Sequence, residues 1–479
     1  MAGLFQVFFW LSRDNLVTLN ENSFEKIESL SYSPFEGYDK NLLSSEQIAY
    51  DVNLFENFTN KLRTYGTLEA YKILQSSKDS NLPIDLGLWI GGDLEANNLE
   101  IQRALEILKE YPNRIQSVIV GNEVLLRKEL EPLELYAYID FMKSHTKKPV
   151  TTAETWDIWE KNPQLASHVD FLTIHILPYW EKVPIERYNE FIIEKYSVVE
   201  ELFPNRKIVI GETGWPSHGY NNNSAIPSIK NQAQAIRGFV NLAHEKGWHY
   251  NIIEALDQPW KGYDEGNVGQ YWGIFTTDRA LKFQLAGEVE LNKYWLYQMI
   301  AAIIIGALLT LFGLKNQRVN ISHAFAYAIA AQGMAFGIVM AAIYPFVNYM
   351  NFGMWIMWGM GSFLMIPLVI ITLAKANELF RSSIGVQPSR LVPLDLKSKN
   401  APLVSIHVPA YKEQPHVLAE TLESLSKLTY PNYEVLVIIN NTPEDFYKAP
   451  IKELCEKLGD KFKYLDITCT GFKAGALNK

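Results

Sequence analysis

The sequence predicts an α/β protein in three parts: a (β/α)₈ barrel, three membrane-spanning helices and the beginning of a second α/β domain. Eight β-rich segments alternate with helical segments across residues 27–290. Three long apolar segments follow, and a strand–helix order resumes after residue 402. A chain of 479 residues is long enough for two or three domains.

The eight strand candidates occupy residues 27–35, 61–66, 85–92, 117–124, 148–155, 169–179, 206–215 and 250–260. Helical segments separate them, such as NLEIQRALEILKEY (98–111), which has apolar residues at i, i+3, i+4 and i+7. This alternation favours a closed parallel barrel. A doubly wound open sheet is the alternative, and the lack of a glycine-rich phosphate loop after the first strand disfavours it.

Charge is unevenly distributed along the chain, whose net charge is −9. Residues 1–292 carry 27 Lys and Arg against 41 Asp and Glu, whereas residues 293–479 carry 17 against 12. The acidic first part argues against nucleic-acid binding there. The two cysteines, Cys455 and Cys469, lie near the end, so the preceding residues contain no disulfide and no thiolate metal site.

Acidic and aromatic side chains gather where the predicted strands end. Because active sites of such barrels lie at the carboxyl ends of the strands, these side chains share one rim. Carboxylates supply acid, base and nucleophile chemistry, and flat rings stack on sugars, so the rim predicts a carbohydrate site. The rim residues are Arg63, Tyr65, Asn122, Glu123, Glu154, His175, Tyr179, Trp180, Glu212, Trp215, Glu254, Asp257, Trp260 and Lys261.

Glu123 and Glu212 stand out among the acids because each directly follows an apolar strand, in VGNEV and GETGW. For Glu154 or Glu265 alone, a surface salt bridge is the simpler interpretation. The segment IVIGETGWPS resembles the signature of glycoside hydrolase family 17, the β-1,3-glucanases, and SVIVGNEV resembles its second motif. The resemblance covers residues 27–285 and includes the late segment EALDQPWKGYDEGNVGQYWGIF (254–275).

The resemblance implies a retaining reaction in which Glu123 is the acid/base and Glu212 the nucleophile, with no cofactor and no metal. Asn122 is expected to bond the sugar 2-hydroxyl, Tyr179 to orient Glu212 and Trp215 to stack on a sugar ring. Substrate contacts are also expected from Arg63, Tyr65, Trp260 and Lys261. The family usually has an acid before the PWK element where this chain has Gln258.

Residues 294–314, 324–347 and 353–376 are each long and apolar enough to span a ~30 Å hydrocarbon core. Basic residues follow the first and third segments, whereas the loop VNYMN between the second and third is uncharged. Because basic loops stay in the cytoplasm, the barrel is expected outside an inner (cytoplasmic) membrane of bacterial type, in contact with lipid. Residues 1–26 are either the remnant of an earlier span or an amphipathic lead-in.

A linker (381–401) leads into residues 402–479, which read as βαβαβ. The pieces VPAYKE, YPNYEVLVIINNT and GFKAGALNK resemble the opening of a family 2 glycosyltransferase, with the GT-A fold. The resemblance implies a nucleotide-sugar site at Pro409, Tyr411, Glu413, Asn440 and Lys473. It also implies that UDP-glucose and a divalent metal (Mg or Mn) serve the full-length transferase, whose later motifs are expected beyond residue 479.

The fused arrangement resembles bacterial β-glucan synthases, in which a cytoplasmic transferase makes β-glucan and the external barrel cuts, branches or cyclises it. Whether the barrel hydrolyses or transfers is left open. The alternatives are a membrane-tethered endo-β-1,3-glucanase and a non-catalytic module that guides glucan outward. The intact glutamates Glu123 and Glu212 count against the last.

Overall fold

The computed structural model describes residues 2–13, 16–19, 26–384 and 401–478. The chain folds into two compact units, residues 1–386 and 387–479. The first unit contains the barrel and the long apolar helices, and the second contains the C-terminal α/β sheet.

Eight parallel strands close the barrel in chain order, as predicted. Each strand pairs with the next, and the pairing of Ile252 with Leu30 joins the last strand to the first. The strands are β1 (Leu30–Ser31), β2 (Leu62–Arg63), β3 (Ile84–Leu88), β4 (Ile115–Asn122), β5 (Val150–Thr155), β6 (Leu172–His175), β7 (Ile208–Thr213) and β8 (His249–Ile252). Most are shorter than the predicted segments, because their ends leave the ladder to form the rim.

Helix α1 (Ala2–Leu11) precedes the barrel, and seven helices connect its strands. They are α2 (Ser45–Phe55), α3 (Thr67–Ser76), α4 (Leu94–Glu110), α5 (Pro132–His145), α6 (Trp156–Lys161), α7 (Tyr188–Leu202) and α8 (Ile229–Lys246). After β8 the chain forms two 3₁₀ turns, Pro259–Gly262 and Asn267–Tyr271.

Helix α8 illustrates why these segments are helical and how they pack. Its buried residues Ala233, Ile236, Val240 and Ala243 recur three or four positions apart and form one apolar face. The Ser228 side chain caps its first turn. Gly247, at a φ of 67°, ends it in the left-handed conformation that glycine adopts without strain.

Three further helices are long and apolar enough to cross a membrane: α9 (Trp295–Leu314), α10 (Ile321–Val347) and α11 (Phe352–Ser383). They match the three predicted spans. Helix α11 continues past the predicted end at residue 376 and takes up the first residues of the predicted linker (381–401). Residues 385–400 of that linker lie outside the described residues.

The predicted lead-in (1–26) contains α1 and a short strand, although residues 14–15 and 20–25 lie outside the described part. Helix α1 packs against α9 and α10, with the Trp10 and Phe336 ring centroids 5.4 Å apart. The strand Leu16–Thr18 pairs antiparallel with Glu288–Glu290. This two-stranded ribbon therefore holds together the chain entering the barrel and the chain leaving it.

The second unit has a parallel sheet in the order β9 (Val404–Ala410), β10 (Tyr433–Asn440) and β11 (Phe462–Ile467). Helices α12 (Pro415–Ser426) and α13 (Asp445–Leu458) connect the strands, and α14 (Phe472–Leu477) follows. Apolar side chains such as Leu422 and Val437 form its core. The predicted βαβαβ order is confirmed.

Candidate active site

Glu212 and Glu123 occupy neighbouring positions on the carboxyl rim of the barrel. Glu212 lies on β7, paired with His175 on β6, and is 5% exposed. Glu123 directly follows β4 and has a φ of 55°, two residues after Gly121 at 81°. Oxygens of the two carboxylates and a ring nitrogen of His175 all lie within 4.8 Å of one another.

His175 is buried between the two glutamates. Its Nδ1 lies 2.7 Å from Glu123 Oε1, and its Nε2 lies 3.6 Å from Glu212 Oε1. Both terminal nitrogens of Arg63 lie 3.3 Å from the same Nε2. Because a guanidinium only donates, we assign Nε2 as the acceptor and Nδ1–H as the donor to Glu123.

This arrangement controls the protonation of Glu123. Burial raises the pKa of its carboxyl, but the hydrogen bond from His175 and the charges of Arg127 and Arg63 outweigh burial, and the pKa lies below its ordinary value. The ligand-free site therefore favours the ionised form, which is the form that acts as a base. The acid form requires a proton on Glu123 itself, because Arg63 occupies Nε2 of His175.

Arg63, at the end of β2, connects three strand ends. Its Nη2 donates to Asn122 Oδ1 at 2.6 Å, its Nη1 donates to the Gly211 carbonyl, and its Nη1 lies 3.4 Å from Glu212 Oε1. A Cβ at position 211 would lie 3.1 Å from the His175 ring and 3.2 Å from Arg63 Nη1, so glycine leaves room for both.

Glu123, His175 and Glu212 have donor atoms of the kinds that metals bind. The Arg63 guanidinium reaches the same Glu212 oxygen and the same His175 nitrogen. Its positive charge opposes a cation at this position. The set therefore fits proton transfer and nucleophilic attack better than metal binding.

Two cavities, of about 520 Å³ and 780 Å³, meet at the glutamates and form one cleft. The structure brings Tyr65, Asn122, Trp260 and Lys261 of the predicted contacts to the first cavity, together with Trp89. The second cavity is lined by other aromatic side chains: Trp156, Trp180 and Trp272. Aromatic rings around a pair of carboxylates form a surface suited to a chain of sugar rings.

Trp215 and Tyr179 do not reach the cleft, contrary to expectation. Trp215 is fully buried, with its Nε1 donating to the Ile226 carbonyl at 3.0 Å and its ring packed against Tyr179. Tyr179 donates its hydroxyl to the Tyr220 carbonyl at 2.6 Å. Trp215 belongs to the core of the barrel, so it is not placed to stack on a sugar. The groups next to Glu212 are instead Arg63 and His175.

Lys261 keeps an acidic partner although residue 258 is glutamine. Its Nζ lies 2.8 Å from Glu254 Oε2, and both side chains are buried. Burial lowers the pKa of Lys261, but the charges of Glu254 and Glu265 outweigh burial and hold the pKa above its ordinary value. Gln258 donates to the Ser33 carbonyl and accepts from Trp260 Nε1 at 2.6 Å. Glu254 therefore supplies the acid that position 258 lacks.

Several residues that the structure places in the site have no role that the sequence predicts. The sequence predicts that His175 and Glu254 lie on the rim, but nothing in their spacing indicates their partners. Trp89 and Arg127 were missed, and the cation–π contact between them, at 4.5 Å, joins the loops after β3 and β4. The signal for Trp89 is an aromatic residue directly after the apolar strand β3.

In the second unit, the predicted residues lie at the carboxyl edge of the sheet. Pro409 is in β9, Tyr411 and Glu413 follow it and are exposed, and Asn440 ends β10. Open α/β sheets bind ligands at this edge. The side chain of Lys473 lies outside the described part of the chain.

A closed parallel barrel with two adjacent rim carboxylates defines a glycoside hydrolase domain. The BtgE/BtgC glycoside hydrolase domain model matches residues 29–273, and the glycosyl transferase family 2 model matches residues 405–479. The chain belongs to the BtgE/BtgC glycoside hydrolase family, and its second unit is a family 2 glycosyl transferase region. Both resemblances seen in the sequence are confirmed.

Individual relatives match the barrel. A glucan 1,3-beta-glucosidase of Schizosaccharomyces pombe is 27% identical over 255 residues, 49% of this chain and 79% of that protein. The putative glucan endo-1,3-beta-glucosidase btgC of Aspergillus niger is 28% identical over 276 residues, 50% of this chain and 40% of that protein. The glycoside hydrolase family 17 beta-1,3-glucanosyltransferase of Rhizomucor miehei is 25% identical, with a TM-score of 0.49, covering 53% of this chain and 95% of that one.

Proposed function

We propose that the barrel is a retaining glycosidase or transglycosylase that acts on β-1,3-linked glucan. The main support for this proposal is that carboxylate oxygens of Glu123 and Glu212 lie within 4.8 Å of each other. Retaining enzymes hold their two carboxyl groups about 5–5.5 Å apart, whereas inverting enzymes need a wider gap for water. The glucan-active names of the relatives support the choice of substrate.

In the first step, Glu212 attacks the anomeric carbon while Glu123 gives its proton to the leaving oxygen. A covalent glycosyl ester forms on Glu212 and the glycosidic bond breaks. Arg63 lies against Glu212 on the side away from solvent, and Asn122 keeps its amide N–H₂ free for the sugar because Arg63 occupies its Oδ1.

In the second step, ionised Glu123 takes a proton from water or from a sugar hydroxyl, which then displaces Glu212. His175 favours the ionised Glu123 that this step needs. Water gives hydrolysis, and a sugar hydroxyl gives a longer or branched glucan. The aromatic second cavity favours a sugar acceptor, because rings bound there exclude water.

For the protein as a whole, we propose coupling to a cytoplasmic glucosyltransferase that uses UDP-glucose with Mg or Mn. Crossing a membrane three times would place the barrel and the second unit on opposite sides. The basic residues after α9 and α11 support a cytoplasmic position for the second unit. Holding both activities in one chain raises the effective concentration of new polymer at the barrel.

Incubating the detergent-solubilised chain with laminari-oligosaccharides tests this function. Shorter products alone indicate hydrolysis, whereas longer or branched products indicate transfer. We expect Glu212→Ala to abolish turnover and azide to restore it with an α-glycosyl azide product. Glu190→Ala, at an exposed position, is the matched control. Full activity of Glu212→Ala would refute the nucleophile assignment, and glucan binding without turnover by the unmodified chain would favour a binding module.

A further inference from the structure

The loop between the second and third apolar helices contacts the rim of the barrel. This loop, Asn348–Asn351, joins α10 to α11 and is here called the α10–α11 loop. Its Tyr349 ring centroid lies 6.3 Å from that of Tyr220, with the ring planes at 66°. Both rings are partly exposed. Tyr220 belongs to the segment after β7, the strand that carries Glu212.

Tyr220 is held in place by contacts on several sides. Its carbonyl accepts the Tyr179 hydroxyl at 2.6 Å. Gly219, at a φ of 120°, lies so close to Val268 that a Cβ there would be 2.7 Å from the Val268 Cα. Gly266 lies beside the Tyr220 ring, since a Cβ at Gly266 would be 3.3 Å from Tyr220 Cε1. The ring therefore has a defined position next to the α10–α11 loop.

An aromatic cluster connects Tyr220 to the second cavity of the cleft. Tyr179 has its ring centroid 6.4 Å from Tyr220 and 5.2 Å from Trp180. Trp180 stacks on Trp272 at 5.9 Å, and both line the cavity that contains Glu123 and Glu212. Tyr179 is itself fully buried, so the partly exposed rings of Trp180 and Tyr220 pack on a shared buried ring between the cleft and the α10–α11 loop.

The ribbon of Leu16–Thr18 with Glu288–Glu290 is a second attachment on this side. Helix α9 begins at Trp295, shortly after the ribbon, α10 ends at Val347 and α11 begins at Phe352. Successive helices run in opposite directions, so the ribbon and the α10–α11 loop lie at the same ends of these helices. Both attachments of the barrel to the apolar helices are therefore at one end of the helix bundle.

We propose that Tyr220 and Tyr349 extend the second cavity as a binding surface for a β-glucan chain, bringing the α10–α11 loop into substrate binding. The inference rests on the proposed function and adds a residue outside the barrel. Neither Tyr220 nor Tyr349 lines the two cavities at the glutamates, so the surface acts only on chains long enough to extend beyond the cleft.

Steady-state kinetics of the full chain in lipid nanodiscs, with laminaritriose and with long laminarin chains, test the proposal. For Tyr349→Ala and Tyr220→Ala we expect KM for long chains to rise about fivefold, as for loss of one ring contact. We expect kcat, and KM for the trisaccharide, to stay as in the unmodified chain. Tyr349→Phe keeps the ring and is expected to behave as the unmodified chain. Tyr344→Ala, at an exposed tyrosine of α10, is the matched control.

An unchanged KM for long chains in Tyr349→Ala would overturn the proposal. So would equal losses on both substrates, because these would indicate a structural contact alone. If the unmodified chain turns over neither substrate, the proposed function fails. The proposal can then still be tested by calorimetry, which measures the affinity of long laminarin for the unmodified chain and for Tyr349→Ala. We expect the variant to bind more weakly, and equal affinities would refute the proposal.

Discussion

Replacing His175 by glutamine should separate the base step, in which ionised Glu123 acts, from the acid step. His175 Nδ1 lies 2.7 Å from Glu123 Oε1, a charge-assisted hydrogen bond. The flexible glutamine amide donates a weaker hydrogen bond, so ionised Glu123 loses part of its stabilisation, while the cleft and Glu212 stay as they are.

The size of the effect follows from the bond that is weakened. A hydrogen bond to a charged group contributes about 1.5–3 kcal/mol, which corresponds to a loss of about 10- to 150-fold in rate. The loss should appear in the second step, where ionised Glu123 acts as the base. A dinitrophenyl β-laminaribioside needs no proton on its leaving group, so its kcat reports the second step and should fall by this factor. We expect kcat/KM for laminari-oligosaccharides, which reports the first step, to change less than about threefold.

The pH profile gives a second reading of the same variant. His175 holds the pKa of Glu123 below its ordinary value, so its removal raises that pKa. The limb of the pH–rate profile at which Glu123 ionises should move to higher pH. His168→Gln, at a histidine that contacts Asp140 away from the cleft, is the control. Equal losses on both substrates, or an unmoved limb, would refute the assigned role.

Three further substitutions test the packing around the site. Lys261→Met leaves the buried Glu254 carboxylate unpaired. Thermal unfolding should show a loss of about 3–5 kcal/mol in the stability of the barrel. The double variant with Glu254→Gln should recover part of this loss. Burial raises the pKa of Glu69 from 4.5 to about 7. The contribution of Glu69 to the free energy of unfolding is therefore fully present below pH 4.5, and about 3 kcal/mol is lost as pH rises through 7. Burial raises the pKa values of Glu154 and Glu254 to about 7 as well, so Glu69→Gln should make this decline smaller by about 3 kcal/mol, and a parallel decline in the variant would contradict the assignment. Gly87→Ala places a Cβ 2.2 Å from the Thr64 carbonyl oxygen and should cost about 1–3 kcal/mol in denaturant unfolding, which an unchanged midpoint would exclude.

The barrel and its two glutamates could be predicted because both depend on local pattern. Apolar runs alternating with amphipathic helices specify parallel strands, and parallel strands bring their carboxyl ends to one rim. Glu123 and Glu212 each end such a strand, so their proximity follows from topology without any knowledge of side-chain contacts. The apolar length of α9, α10 and α11 likewise sufficed to find them.

The supporting contacts could not be predicted because they depend on side-chain direction and on residues far apart in the chain. Trp215 comes soon after Glu212 in sequence, yet its side chain is buried in the core. Glu254 replaces the acid missing at position 258 only because the turn after β8 brings Lys261 back to it. A spacing pattern carries neither piece of information.

The ribbon formed by Leu16–Thr18 and Glu288–Glu290 makes the barrel a modular insertion. The chain enters and leaves the barrel at one place, and the helices on either side in sequence, α1 and α9, pack against each other. The bundle of α1 with the long apolar helices is therefore continuous without the barrel. Excising the barrel at the ribbon and closing the gap with a short turn should leave a helical bundle that still assembles.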